Sequence, residues 1–146
     1  MRDPWSKIVA RDELASQLSG DSAVRVVLAN GLFDVVHVGH ARYLSAARAA
    51  GDLLVVALND DSSARANRGE QRPLVPLAER MALIAGLRCV DWVTWFPETT
   101  VAETLSLVRP ALHAKGTDYR PTTLPADEQA VHQLLGIAVV SVGDEK

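Results

Sequence analysis

A single cysteine, Cys89, occurs in 146 residues. That excludes an intramolecular disulfide, and with no CxxC or Cys/His cluster there is no basis for structural zinc. Cationic excess is missing as well, since 15 lysines and arginines stand against 18 acidic residues, a net charge of −3. Bulk binding to nucleic acid needs a basic surplus and is not expected, although a local cationic patch is compatible with an acidic chain. No apolar run approaches the roughly 18 residues of a membrane span, and the opening MRDPWSKIVARDEL lacks an apolar signal-peptide core. A cytoplasmic location without membrane attachment is the expectation. Internal repeats, low-complexity tracts and long linkers are absent too, so residues 1–146 are expected to form one domain.

What is present is an alternation of short β-branched runs with helix-like segments. The composition, 48% hydrophobic and 23% charged, is that of a globular chain long enough to bury its own core. VRVVLA (24–29), DLLVVAL (52–58), VDWVTWF (90–96), ALHAKG (111–116) and IAVVSV (137–142) read as strands. They are nearly continuous apolar runs rather than alternating ones, which marks parallel strands covered on both faces. Between them, residues 38–51, 61–67, 76–87, 99–110 and 124–136 have helical spacing, with Gly51 and Pro110 as stops and Pro76 near a start. A further helix over about 6–19 is expected to pack outside the sheet. The expected fold is α/β: a Rossmann-like open parallel five-stranded sheet with helices on both faces.

Ligands of such sheets bind beyond the carboxyl ends of the strands. NGLFD, the ND of 59–60 and KGTDY all follow those ends. In NGLFDVVHVGHARYL (30–44), Asp34, His37 and His40 stand between a strand and a helix. Three roles compete for them. Two histidines and a carboxylate could hold a metal, but no second cluster completes the site. Both histidines could simply cap and pack the helix. The third role is a phosphate site: Gly31 and Gly39 permit close approach, the helix N-terminus offers unpaired N–H groups, and imidazoles can donate to phosphoryl oxygens. Phosphate binding is the favoured expectation, with no dedicated metal site.

GLFDVVHVGH contains the HxGH element in the fuller form GxFDxxHxGH, and so resembles the cytidylyltransferase-like branch of the nucleotidyltransferase superfamily. GEQRPLVPLAERMALIAGL and VRPALHAKGTDYRP look like the matching segments of the D-glycero-β-D-manno-heptose 1-phosphate adenylyltransferases. Those occur as small free enzymes or as the C-terminal half of a bifunctional kinase/adenylyltransferase. The resemblance runs from about Lys7 to Val142. It implies transfer of a nucleotidyl group from ATP, with Mg²⁺, to a sugar 1-phosphate, giving an ADP-sugar and pyrophosphate.

Residue by residue, the resemblance assigns His37 and His40 to the α/β-phosphates. Asn30, Gly31 and Phe33 would set backbone groups against the triphosphate or nucleoside, and Asp34 would orient the turn or a neighbouring cation. Arg68 stands where these enzymes often carry a phosphate-reaching lysine, with Arg72 in the same loop. Arg80 would point from its helix to the β/γ-phosphates. Lys115 would act from the fourth strand's end, with Gly116 beside it and Asp118 near the nucleoside. The resemblance also implies a homodimer. It further leads to the expectation of a Ser/Thr-rich motif and helix after the last strand, and SVGDEK stands there instead. A cytidylyltransferase acting on glycerol 3-phosphate or a similar ester, and a nucleotide-binding module without catalysis, remain alternatives. Asn59 and Asp60 are further candidates for the cleft, while His113 and His132 are expected to be structural.

Overall fold

The computed structural model describes residues 2–143; Asp144–Lys146, where part of the expected C-terminal departure falls, lie outside the described residues. Five strands, β1 (Val26–Gly31), β2 (Leu53–Asn59), β3 (Trp92–Phe96), β4 (Leu112–Lys115) and β5 (Ala138–Ser141), form one sheet in the order β3-β2-β1-β4-β5. Every pairing is parallel, with Val26 opposite Leu53, Leu28 opposite His113, Val56 opposite Val93 and Ala114 opposite Val140. The sheet therefore matches the α/β expectation.

Alternate residues of each inner strand enter two cores. Val27 and Ala29 of β1 face one core, together with Leu44 and Ala47 of α2 (Val38–Ala49) and Ile84 and Ala85 of α4 (Leu77–Ala85). Val26 and Leu28 face the other, with Leu14 of α1 (Arg11–Leu18) and Leu105 and Val108 of α5 (Ala102–Val108). Both faces being covered is why these strands are apolar without alternation. Two further helices, α3 (Asp61–Arg68) and α6 (Ala126–Leu135), follow β2 and precede β5.

The N-terminal helix is shorter than the spacing indicated. Pro4–Lys7 form a single 3-10 turn capped by Asp3, and only Arg11–Leu18 are α-helical. Between them Ile8 bridges to Val93, and Val9 N–H donates to the Val93 carbonyl at 3.0 Å. The free edge of β3 thus takes residues 8–9 as a short parallel partner, and extended backbone there cannot also be helix. The pairing also shields an otherwise open sheet edge.

From β1 the chain runs outward through β2 to β3, then returns to the far side of β1 for β4 and β5. The direction of winding reverses between β1 and β4. At such a switch point the two connections leave in opposite directions and open a crevice at the strands' carboxyl ends.

Candidate active site

The crevice lies at that reversal. A cavity of about 880 Å³ is lined from β1 by Asn30 and Gly31, from the next turn by Phe33 and Asp34, and from α2 by His40 and Arg42. Across it stand Lys115, Gly116, Thr117 and Asp118 at the end of β4, with Arg68 and Arg72 above. His37 and Gly39 complete the helix end. Of the residues assigned from the resemblance, all but Arg80 line this one cavity, and the further candidates Asn59 and Asp60 do not.

The turn after β1 is tightly determined. Phe33 is buried and adopts a left-handed backbone, φ 51°, a conformation that costs a non-glycine residue of order 1 kcal/mol. Its ring lies against Gly31, where an added Cβ would come within 3.1 Å of Phe33 Cε2. The same ring meets His40 edge-on at 5.2 Å. The strain is offset by burial of the aromatic ring.

His37 is the N-cap of α2, and its Nδ1 accepts from Gly39 N–H at 3.0 Å. His40 reaches back, and its Nδ1 accepts from His37 N–H at 3.2 Å. The two rings stack with centroids 4.0 Å apart. An imidazole nitrogen that accepts carries no proton, so the hydrogen of each neutral ring sits on Nε2. Each histidine therefore caps the helix with one nitrogen and keeps a donor on the other. Capping and anion binding, alternatives in the sequence, are compatible at one residue. The helix N-terminus adds partial positive charge to the same spot. Gly39 is required here, because a Cβ would lie 2.8 Å from His37 Cε1 and displace that ring.

Asp34 is buried and accepts from Leu74 N–H at 2.8 Å, Val75 N–H at 2.9 Å and Arg72 Nη1 at 2.9 Å. Burial works against its charge, but the two backbone donors and the Arg72 guanidinium outweigh it and hold the carboxyl below its ordinary range. With its oxygens so engaged, Asp34 clips the loop after α3 to the β1 turn and does not suit a cation ligand. Among the described residues no group of three or more His, Cys, Asp or Glu could hold a metal ion.

Arg80 requires a correction. It is fully buried and lies outside the cavity lining. Its Nε donates to the Val75 carbonyl at 2.8 Å, and Nη1 to the carbonyls of Leu32 and Asn59, each at 2.8 Å. Nη2 pairs with Asp61 at 2.7 Å. The α4 face that carries it turns inward beneath the crevice, where a buried guanidinium must find acceptors. It ties together the β1 turn, the end of β2 and the loop before α4, and so holds the walls rather than a ligand.

A smaller cavity of about 300 Å³ adjoins the first, sharing Asn30, Gly31, Leu32 and Arg68. Asn59, Asn67, Thr99, Thr100 and Glu128 also line it. Glu128 is buried; Oε2 accepts from Val101 N–H at 3.2 Å, and Oε1 lies 3.5 Å from Lys115 Nζ. Asp60, the other strand-end candidate, caps α3 by accepting from Ser63 N–H at 2.8 Å. Glu128, Arg42 and Thr117 carried no signal in the sequence, where they read as ordinary helix-surface and loop residues. The packing of α2, β4 and α6 around β1 brings them to the crevice.

The family model described as Cytidylyltransferase-like matches residues 28–143, a span that contains every residue of both cavities. The chain belongs to the cytidylyltransferase-like family. A protein named bifunctional protein HldE from Alkalilimnicola ehrlichii is 47% identical over 107 residues, 73% of this chain and 22% of that protein. HldE of Pelobacter propionicus is 46% identical over 121 residues, 82% of this chain and 25% of that protein. The chain thus spans about a quarter of the length of these curated relatives. Among solved structures, a lipopolysaccharide core biosynthesis protein from Thermoplasma volcanium superposes with a TM-score of 0.71 at 32% identity, covering 84% of this chain and 99% of that one. Pantothenate synthetase from Thermus thermophilus shares the fold alone, with a TM-score of 0.63 at 19% identity, covering 93% of this chain and 61% of that one. The crevice is therefore that of a cytidylyltransferase-like nucleotidyltransfer domain. Among the described residues no helix is long and apolar enough to cross a membrane.

Proposed function

We propose that the chain transfers an adenylyl group from ATP to a sugar 1-phosphate, D-glycero-β-D-manno-heptose 1-phosphate being the acceptor that the HldE relatives favour. The observation that carries the transfer is the histidine pair at the N-terminus of α2, whose Nδ1 atoms both accept from backbone N–H groups, which places the ring hydrogens on Nε2 in the cavity lining. The larger cavity takes the triphosphate, with Arg42, Arg68 and Lys115 as cations around it. The smaller one, rich in amide and hydroxyl groups, takes the acceptor.

An oxygen of the acceptor phosphate attacks the α-phosphorus. A new P–O bond forms, the bond to the bridging α–β oxygen breaks, and pyrophosphate leaves with that electron pair. Such a step needs alignment and charge stabilisation more than covalent help. His37 and His40 supply neutral donors that follow charge onto the phosphoryl oxygens, and the helix N-terminus reinforces them. Mg²⁺ enters as part of the substrate, on the triphosphate, since among the described residues no acidic cage is present. A homodimer working in the cytoplasm completes the proposal, and sedimentation at assay concentration checks the dimer.

Pyrophosphate release from ATP and CTP, each paired with heptose 1-phosphate and glycerol 3-phosphate, tests the assignment. Turnover with ATP and the heptose phosphate is expected. Turnover with CTP alone would replace adenylyl by cytidylyl transfer, the second activity that the family description favours. Nucleotide binding with no release for any pair would make the chain a binding module.

A further inference from the structure

Below the floor of the crevice a second pair of histidines is joined to Asn30. His113 on β4 is fully buried. Its Nε2 lies 2.7 Å from Asn30 Oδ1, and its Nδ1 lies 2.9 Å from His132 Nε2 on α6. An amide oxygen only accepts, so His113 Nε2 holds the hydrogen and donates to Asn30. The Nδ1 of that neutral ring must then accept, and His132 Nε2–H donates to it. The polarity of the chain runs one way, from His132 to His113 to Asn30.

The surroundings favour the neutral form of both rings. Burial, with Lys115 and His132 adding to it, pushes His113 down to about 2. Burial also lowers His132, with Lys115 in support and Glu128 in partial opposition. Lys115 on β4 and Glu128 on α6 pair with each other at 3.5 Å. From α2 the remaining titratable neighbour is Tyr43, whose hydroxyl donates to the Ala114 carbonyl at 2.8 Å and whose buried phenol stays protonated.

Asn30 sits where the two cavities meet and lines both. With Oδ1 held from below, Nδ2 turns elsewhere, and among the described residues it has no hydrogen-bond partner. The two orientations of an amide are nearly equal in shape but opposite in polarity. Flipped, Asn30 would present a carbonyl oxygen to anionic phosphates. Shape cannot choose between the two, and the bond from His113 Nε2–H to Oδ1 is what holds the first.

We infer that His132 and His113 are positioning residues that hold the Asn30 side-chain amide as a hydrogen-bond donor at the junction of the two cavities, facing a phosphoryl oxygen of the reacting substrates. Asn30 is then a catalytic residue through its side chain, beyond the backbone role that its place at the end of β1 implies. This rests on the nucleotidyl-transfer assignment of the two cavities.

Two measurements test it on the full chain. Long-range ¹H–¹⁵N spectra of labelled protein between pH 5 and 8 report ring tautomers without any substrate. His113 is expected as Nε2–H throughout and His132 as Nε2–H at pH 7 to 8, and the Asn30 NH₂ resonances are expected to shift on adding inorganic pyrophosphate. A His113 ring carrying its hydrogen on Nδ1, or Asn30 resonances unmoved by pyrophosphate, would overturn the inference even if no turnover were found for any substrate pair. Steady-state pyrophosphate release then compares variants. Asn30→Asp still accepts from His113 but replaces the outward donor by an acceptor, and kcat should fall about 10²-fold with nucleotide KM changing far less. His113→Leu should lower kcat at least about tenfold, and His113→Gln, which keeps a donor toward Asn30, should recover most of it. Equal losses in the Leu and Gln variants, or Asn30→Asp with wild-type kcat, would refute the positioning role. Absence of turnover in the wild type would instead refute the transfer assignment.

Discussion

Two histidine pairs occupy different depths of one crevice. At the rim, His37 and His40 stack at 4.0 Å and give both Nδ1 atoms to backbone N–H groups at the start of α2. In the interior, His113 and His132 lie 5.1 Å apart by centroid and bond to each other and to Asn30. Residue type is the same, yet the roles diverge because the partner of one ring nitrogen decides what the other can do. Backbone anchoring at the rim places the hydrogen of each ring on Nε2, in the cavity lining. Anchoring in the interior uses the hydrogens internally and passes a fixed polarity to the next side chain.

The contrast can be broken most sharply at the rim. His37→Asn keeps an oxygen able to cap α2 but its amide hydrogens stop short of the position of the imidazole Nε2–H, so pyrophosphate release should fall about 10²–10³-fold with the melting temperature nearly unchanged. His40→Ala should lose a similar factor. Wild-type turnover in either variant would remove that histidine from the phosphate site. Arg80, as deep as the inner pair, should behave in the opposite way. Arg80→Met leaves three carbonyls and Asp61 without their donor, and should cost about 3 kcal/mol in urea unfolding. A stable Arg80→Met protein with only a raised nucleotide KM would return Arg80 to the ligand.

Acid separates the pairs through stability. Burial depresses His113 to about 2 from an ordinary 6.5, and lowers His132 as well. The unfolded chain therefore takes up protons below pH 6.5 that the folded chain refuses. Stability is fully present above that value and is lost as pH falls, by about 2 kcal/mol from pH 7 to 5 for His113. Asp34 and Glu98, both lowered, act in a separate window, contributing above the ordinary carboxylate pKa and losing that contribution as pH falls further. Chemical denaturation at pH 7, 6 and 5 checks the histidine window, and a profile flat from 7 to 5 would contradict it. The smallest effect belongs to Gly39→Ala. Its Cβ, 2.8 Å from His37 Cε1, should tilt that ring and slow turnover about tenfold while the fold persists.

Much of the fold was legible because its cause is local. VRVVLA and DLLVVAL are continuous apolar runs, and a strand covered on both faces needs no alternation. The start of α4 followed from Pro76, which stands immediately before Leu77. The N-terminal helix was overextended because residues 8–9 have a partner, the edge of β3, that lies over 80 residues away. Arg80 was misplaced for a related reason. An arginine near a phosphate site and an arginine beneath it look alike in LAERMALI, and only the packing of α4 turns the side chain inward.

By itself the sequence determined the parallel α/β sheet, the polar loops at its carboxyl ends and the HVGH helix start, since each follows from a contiguous stretch. Tertiary structure alone decided that β4 lies beside β1 and opens the crevice there, that Glu128 meets Lys115, and that His113 touches Asn30. Those contacts join residues 13 to 83 positions apart. A hydrogen-bond chain between such residues leaves no periodicity in the sequence, because its direction is set by geometry that exists only once the sheet has closed.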